Sequence, residues 1–219
     1  MNKKRTLLRI YDALYAFFGP QHWWPGDTPF EVAVGAILTQ NTNWTNVEKA
    51  IRNLKKAGVL NAKALHALPA EKLASLIRPA GYFNIKAERM KSFLDFLVQR
   101  YRGSMKEMGK KATAPLRQEL LEVHGIGPET ADSILLYALG KPVFVIDAYT
   151  KRVLSRHGVM EYEASYDAFQ ELFHRVLDRD VRLFNEYHAL FVAVGKDYCK
   201  PKPRCEECPL PAIRVPLRP

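Results

Sequence analysis

The chain is 219 residues long, 47% hydrophobic and 26% charged, which is enough for a sizeable core in one large or two small domains. Its 33 Lys and Arg against 23 Asp and Glu give a formal charge of +10 and a pI near 9.5, a balance that points to a polyanionic partner. No apolar run approaches the roughly 20 residues of a membrane span.

The basic start Met1–Thr6 leads into a stretch broken by Arg9, Asp12 and Gly19-Pro20, which argues against a secretory signal. Helical periodicity then runs almost throughout. Leu7, Leu8, Ile10, Tyr11, Leu14, Tyr15, Phe17 and Phe18 form the apolar face of a first helix, stopped by Gly19-Pro20. His22–Asp27 reads as a loop and Phe30–Leu38 as a buried helix. Thr42 or Asn43 is positioned to cap a helix over Trp44–Lys56, ended by Gly58. Short helices are expected over Ala62–Ala67 and Ala70–Ile77, and a long one over Ile85–Tyr101. The polar stretch Gly103–Ala114 is expected to be a loop. Pro115–Val123, a tight turn at His124–Gly127, and a helix over Pro128–Leu139 follow. Val143–Ile146 reads as buried extended chain, too short and isolated for a sheet. Further helices are expected at Ala148–His157, Tyr166–Leu177 and Phe184–Val194. The tail is rich in proline and not helical. Its three cysteines, the only ones in the chain, do not make a secreted disulfide framework, so an intracellular, cytoplasmic setting is expected.

The most informative stretch is Leu120–Ala131. Gly125 and Gly127 flank one apolar residue and allow a very short turn. Ile126 plugs the gap between two helices, and Pro128 suits the first turn of the second. The expected result is a row of outward-facing backbone N–H groups at a helix N-terminus, an anion site that can hold a DNA phosphate. A plain helix–turn–helix corner with a glycine cap is the blander reading. Asp147 follows the buried run and precedes a helix. Such a carboxylate can stabilise an oxocarbenium ion or activate water. It can equally serve as an N-cap, and the two roles are compatible.

Gly125-Ile126-Gly127-Pro128-Glu129-Thr130-Ala131, followed by Val145-Ile146-Asp147-Ala148-Tyr149-Thr150-Lys151-Arg152-Val153, resembles the helix-hairpin-helix/Gly-Pro-Asp signature of the endonuclease III superfamily. Leu38–Thr42 is similar to its segment carrying a glutamine, here Gln40, that enters the gap left by a flipped base. Gly81–Ala87 is similar to its intercalating loop, with Tyr82 as the wedge. The resemblance implies an all-α fold of two helical domains flanking a DNA-binding cleft. Residues 28–141 would form a six-helix barrel domain with the hairpin, and 1–27 plus 142–219 the second domain. It implies that Asp147 is catalytic, that Gly125, Ile126 and Gly127 bind DNA, and that the partner is double-stranded DNA with a flipped damaged base. A monomer is expected. Where bifunctional members carry a lysine that attacks the sugar, this chain has Glu129. A carboxylate forms no imine, so a monofunctional glycosylase is expected.

Trp23-Trp24-Pro25, with Trp44 after the Leu-Thr-Gln-Asn-Thr segment, resembles the 3-methyladenine DNA glycosylase III branch, which also has glutamate at the lysine position. Trp23, Trp24 and Trp44 are thus candidates for a pocket that stacks a cationic alkylated purine; packing at a helix–loop junction is the alternative. Mismatched or oxidised pyrimidines remain as other substrates. Cys199, Cys205 and Cys208 resemble the superfamily's iron–sulfur loop and imply a [4Fe–4S] cluster. The first gap is one residue short, however, and a fourth cysteine is missing, which leaves zinc with another ligand, or an emptied site, as alternatives. Lys200, Lys202 and Arg204 would contact phosphates. Lys86 and Arg89 read as backbone contacts or solvated helix charges, His124 as a surface residue, and Tyr187 and His188 as packing residues. The competing functions are a non-catalytic DNA-binding module and a lyase using Lys151 or the N-terminal amine.

Overall fold

Short polar side chains set where most of the helices begin. In the computed structural model, which describes residues 3–210, Thr28, Asn43, Asn61, Ser104, Asp147, Ser165 and Asp180 each accept a hydrogen bond from the backbone N–H three residues on. Each such cap contributes about 1 kcal/mol by meeting a donor that the helix itself leaves open. The resulting order is α1 Lys3–Phe18, α2 Pro29–Leu38, α3 Trp44–Lys56, α4 Ala62–Ala67, α5 Ala70–Leu76, a 3₁₀ turn Arg78–Ala80, and α6 Phe83–Tyr101. It continues with α7 Met105–Gly109, α8 Thr113–Glu122, α9 Pro128–Ser133 running into a π turn Ile134–Ala138, α10 Ala148–Arg156, α11 Tyr166–Val176 and α12 Val181–Asp197. The fold is all-α; the described residues contain no strand.

One expected loop is partly helical. Within Gly103–Ala114, Ser104 caps a five-residue helix, α7, through the N–H of Glu107 at 3.2 Å. Met105 and Met108 are buried beneath it. The polar character of the stretch is the outer face of a helix too short to show a period. Pro128–Leu139 likewise does not stay α-helical: the N–H of Leu139 reaches back five residues to the carbonyl of Ile134 at 3.2 Å, which widens the last turn.

The chain forms two compact units. One joins the N-terminal segment through Trp23 to the chain from Pro142 onward; the other is Trp24–Lys141. In the second unit α2 is the central helix, buried at every position from Phe30 to Leu38, and it packs against α6, α9 and the π turn. A helix apolar all round has to be enclosed in this way.

In the first unit the run Val143–Ile146 is extended and at most 4% exposed. Its polar groups cannot go unpaired in such a setting, and α11 side chains pair them. Phe144 N–H donates to His174 Nε2 at 2.9 Å, Gln170 Nε2 donates to the Phe144 carbonyl at 2.8 Å, and Ile146 N–H donates to the Tyr166 hydroxyl at 3.2 Å. The Phe144 ring stacks on Phe173 with centroids 3.6 Å apart and meets Phe184 and Tyr187 edge-on. The Tyr187 hydroxyl crosses to the Leu7 carbonyl of α1 at 2.7 Å.

This aromatic cluster fixes the strand-like segment that carries Asp147. Phe144→Ala should therefore lower stability by about 3–5 kcal/mol, as expected for a fully buried aromatic. Equilibrium unfolding in urea measures the loss.

Candidate active site

The hairpin between α8 and α9 is built as its sequence requires. Gly125 has φ +81°, and a Cβ there would sit 2.1 Å from Cγ of Arg89, so glycine is required both for conformation and for space. Ile126 is buried between the helices at 4% exposure. Gly127 faces open space. One part of the expected amide row is spent internally, because the Ile126 N–H donates to the Val123 carbonyl at 3.0 Å. The outward donors are therefore those of the first turn of α9, after Pro128. Glu129 is exposed on that turn.

Gln40 is tied to this hairpin. Its Nε2 donates to the Gly125 carbonyl at 3.0 Å and to Thr130 Oγ1 at 2.9 Å, and its Oε1 accepts from Arg89 Nη1 at 2.5 Å. Gln40, Arg89, Glu129, Thr130, Thr39 and Ser133 help line a polar cavity of about 220 Å³. Arg89 is therefore a brace for the turn, which neither sequence reading of it anticipated.

Lys86 is also not a solvated helix charge. It is 1% exposed, and its ammonium donates to the carbonyls of Leu38 and Ala80, both at 2.8 Å. Burial, with Arg89 nearby, lowers its pKa to about 8. The two carbonyls belong to the end of α2, just before Gln40, and to the turn just before Gly81-Tyr82. One buried cation thus joins the bases of two segments singled out by sequence. Tyr82 itself is 69% exposed and left-handed, with φ 46°, an uncommon conformation for a bulky residue. It stands at the N-terminus of α6 with its ring exposed.

Trp23 belongs to the first unit, and Trp24 and Trp44 to the second. Trp24 and Trp44 meet edge to face, centroids 5.3 Å apart at 90°, so they do not make a parallel sandwich. Trp24 packs on Gly35 of α2 and on Tyr137, whose ring centre lies 5.1 Å away. Trp44 is half-buried, donates through Nε1 to Glu48 Oε1 at 2.8 Å, and borders a cavity of about 380 Å³ that Pro25, Asp27, Glu31 and Glu48 also line.

Asp147 takes the capping role that its position allows. One oxygen caps α10 through the Thr150 N–H at 2.7 Å, and the other lies 3.6 Å from His188 Nε2 of α12. The residue is 8% exposed. Burial pushes its carboxyl group upward, but the charge and hydrogen bonding of His188 and the donors of Thr150 outweigh this and leave it below the ordinary carboxylate value of 3.8. It is held as an anion. His188, read from sequence as packing, is its partner, brought there across 41 residues by α12. Tyr187 does pack, and His124 is exposed. The ammonium of Lys151 is held elsewhere, donating to the Ala164 carbonyl at 2.8 Å with the Tyr162 and Phe169 ring centres 5.5 and 5.2 Å away.

In the tail, Cys199 is buried, Cys208 half-buried and Cys205 exposed. Among the described residues no three His, Cys, Asp or Glu side chains converge as metal ligands, and the chain has three cysteines in all. The residues present do not fit a four-thiolate [4Fe–4S] site. Lys200, Lys202 and Arg204 are exposed, with Arg204 paired to Glu207.

Residues 34–179 match the HhH-GPD superfamily of base excision DNA repair proteins. The chain belongs to this superfamily. A Methanocaldococcus jannaschii protein named as a DNA repair glycosylase is 49% identical over 95% of this chain and 96% of its own length. Endonuclease III of Thermotoga maritima is 30% identical over 82% of this chain and 79% of its own. Among solved structures, the 3-methyladenine DNA glycosylase MagIII of H. pylori, bound to 1,N6-ethenoadenine, superposes with a TM-score of 0.77 at 28% identity, covering 90% of this chain and 98% of that one. The protein is a base excision repair DNA glycosylase of this superfamily.

The contact between His188 and Asp147 has a measurable consequence. In His188→Asn the carboxylate keeps the Thr150 N–H but loses the imidazole beside it. Its titration, followed by carboxyl-carbon NMR, should move upward by about 1 pH unit.

Proposed function

We propose that this glycosylase is monofunctional and hydrolyses the N-glycosidic bond of an alkylated purine such as 3-methyladenine, turned out of double-stranded DNA. The observation that carries the chemistry is Asp147, a shielded carboxylate kept ionised by Thr150 and His188. As the base leaves with the bonding electrons, positive charge develops on the sugar, and an anion fixed nearby stabilises it. Water then adds to the sugar carbon and gives up a proton, leaving an abasic site. A cationic base is already a good leaving group, so the site needs little acid catalysis.

Two features support the finer points. Glu129, exposed on the first turn of α9, has no amine with which to form an imine, and Lys151 is held by the Ala164 carbonyl and two rings. Strand cleavage by a Schiff base thus lacks a nucleophile at either position, while the N-terminal amine lies outside the described residues. For the substrate, Trp44 offers a half-buried ring that suits a cationic base, beside a cavity lined by Asp27, Glu31 and Glu48 together with Arg52 and Lys55, the latter paired to Asp27 and Glu31. The likeness to a 3-methyladenine glycosylase bound to a modified adenine points the same way. Trp24 supports Trp44 edge-on and is not the second face of a sandwich.

We assign the first turn of α9 to a phosphate, Tyr82 to the wedge, and Lys200, Lys202 and Arg204 to further phosphate contacts. Gln40 would exchange its hairpin bonds for contacts inside the duplex.

Asp147→Asn retains a capping side chain, so it should fold and bind DNA yet lose base release by about 10²-fold or more. Near-normal turnover on a 3-methyladenine duplex would end the catalytic assignment. Borohydride treatment of the wild type on abasic DNA should trap no covalent adduct. Trp44→Ala should slow release of alkylated purines by about tenfold, in line with the loss of one stacking contact, with a smaller change in affinity for undamaged duplex.

A further inference from the structure

The cysteine segment 199–208 is fastened by two arginines one turn apart on α10. Arg152 donates through Nε to the Cys199 carbonyl at 2.5 Å and through Nη2 to the Gly195 carbonyl at 3.1 Å. Arg156 donates through Nη1 to the Lys200 carbonyl at 2.6 Å and through Nη2 to the Pro201 carbonyl at 3.0 Å. The same Nη1 lies 3.4 Å from Cys199 Sγ, which accepts from it. These acceptors include the end of α12 and the start of the loop, where chain termination leaves carbonyls without helical partners and where a cation is favoured by the helix dipole. α10 can approach this closely because residue 195 is glycine: a Cβ there would lie 2.5 Å from the Tyr149 ring. Arg152 also lies over that ring, 5.1 Å from its centre. Farther along, the Tyr198 carbonyl accepts from the Arg204 N–H at 3.0 Å, and Arg204 pairs with Glu207.

We propose that Arg152 and Arg156 clasp this loop in place of a metal, and that the protein folds with neither an iron–sulfur cluster nor zinc in its cysteine segment. The thiols are not arranged as ligands: the buried one accepts from a guanidinium, another is exposed, and among the described residues no third donor converges on any pair. A planar guanidinium that bridges several carbonyls fixes a turn much as a metal does, because it presents a rigid fork of donors. The clasp keeps the basic tail segment in a defined shape without depending on oxidation state.

The test uses the full chain, purified without oxygen and offered ferrous iron with sulfide, or zinc, before desalting. Iron, sulfide and zinc per chain are then measured, and trypsin cleavage after Arg204 is timed by mass spectrometry. Lys200 and Lys202 precede prolines, which makes Arg204 the cleavable site of the loop. The clasp predicts substoichiometric metal and the same cleavage rate for wild type and Cys205→Ser/Cys208→Ser. It predicts cleavage about tenfold faster in Arg156→Ala. Arg156→Lys, which keeps the charge but loses the fork, should also be cleaved faster; it decides the matter if the alanine variant does not fold. Stoichiometric iron with sulfide, or zinc, lost in the double cysteine variant would overturn the proposal. So would wild-type cleavage rates in the Arg156 variants.

Discussion

A carboxylate that stays ionised while nearly shut off from water must be given polar partners, and the candidate active site depends on how Asp147 obtains them. Three elements contribute. The extended run before it is locked by the Phe144–Phe173 stack and by α11 side chains that satisfy its backbone. α10 begins at Asp147 and supplies the Thr150 N–H. α12 carries His188. Burial alone would protonate such a group, and here the donors and the imidazole win. The aromatic core of this unit is thus more than packing. It fixes the backbone so that capping and charge pairing are satisfied together.

The other unit holds the segments proposed to meet DNA with polar stitches of the same kind. Lys86 is buried and joins the end of α2 to the turn before Tyr82. Gln40 and Arg89 fasten the hairpin. Unpaired, any of these groups would destabilise the fold by several kcal/mol; paired, they make the loops rigid. Rigidity suits the wedge role proposed for Tyr82, whose left-handed backbone is maintained only by its surroundings.

On the proposed reading, local replacements on an all-α scaffold redirect the chemistry, since function resides in the site and a fold tolerates such exchanges. The chain has glutamate at position 129 and three cysteines in all. In the proposals above, the first bears on the reaction itself and the second on what holds a basic loop together, where the two guanidiniums of α10 reach its carbonyls.

Helix starts, the hairpin and the position of Asp147 were legible because each depends on neighbours in the chain. A cap bonds three residues on, a glycine turn is set by its own backbone, and a missing lysine is visible by inspection. The helix α7 escaped because five residues are too few to show a period. What only the tertiary structure decided were the partners. Lys86 reaches a carbonyl 48 residues away, Arg89 a side chain 49 away, and Arg152 and Arg156 a loop more than 40 away. His188 stands opposite Asp147, and the Trp24 and Trp44 rings meet at 90° rather than stacking. Long charged side chains look alike in a sequence whether they point to water or to a buried carbonyl, and helix packing determines which.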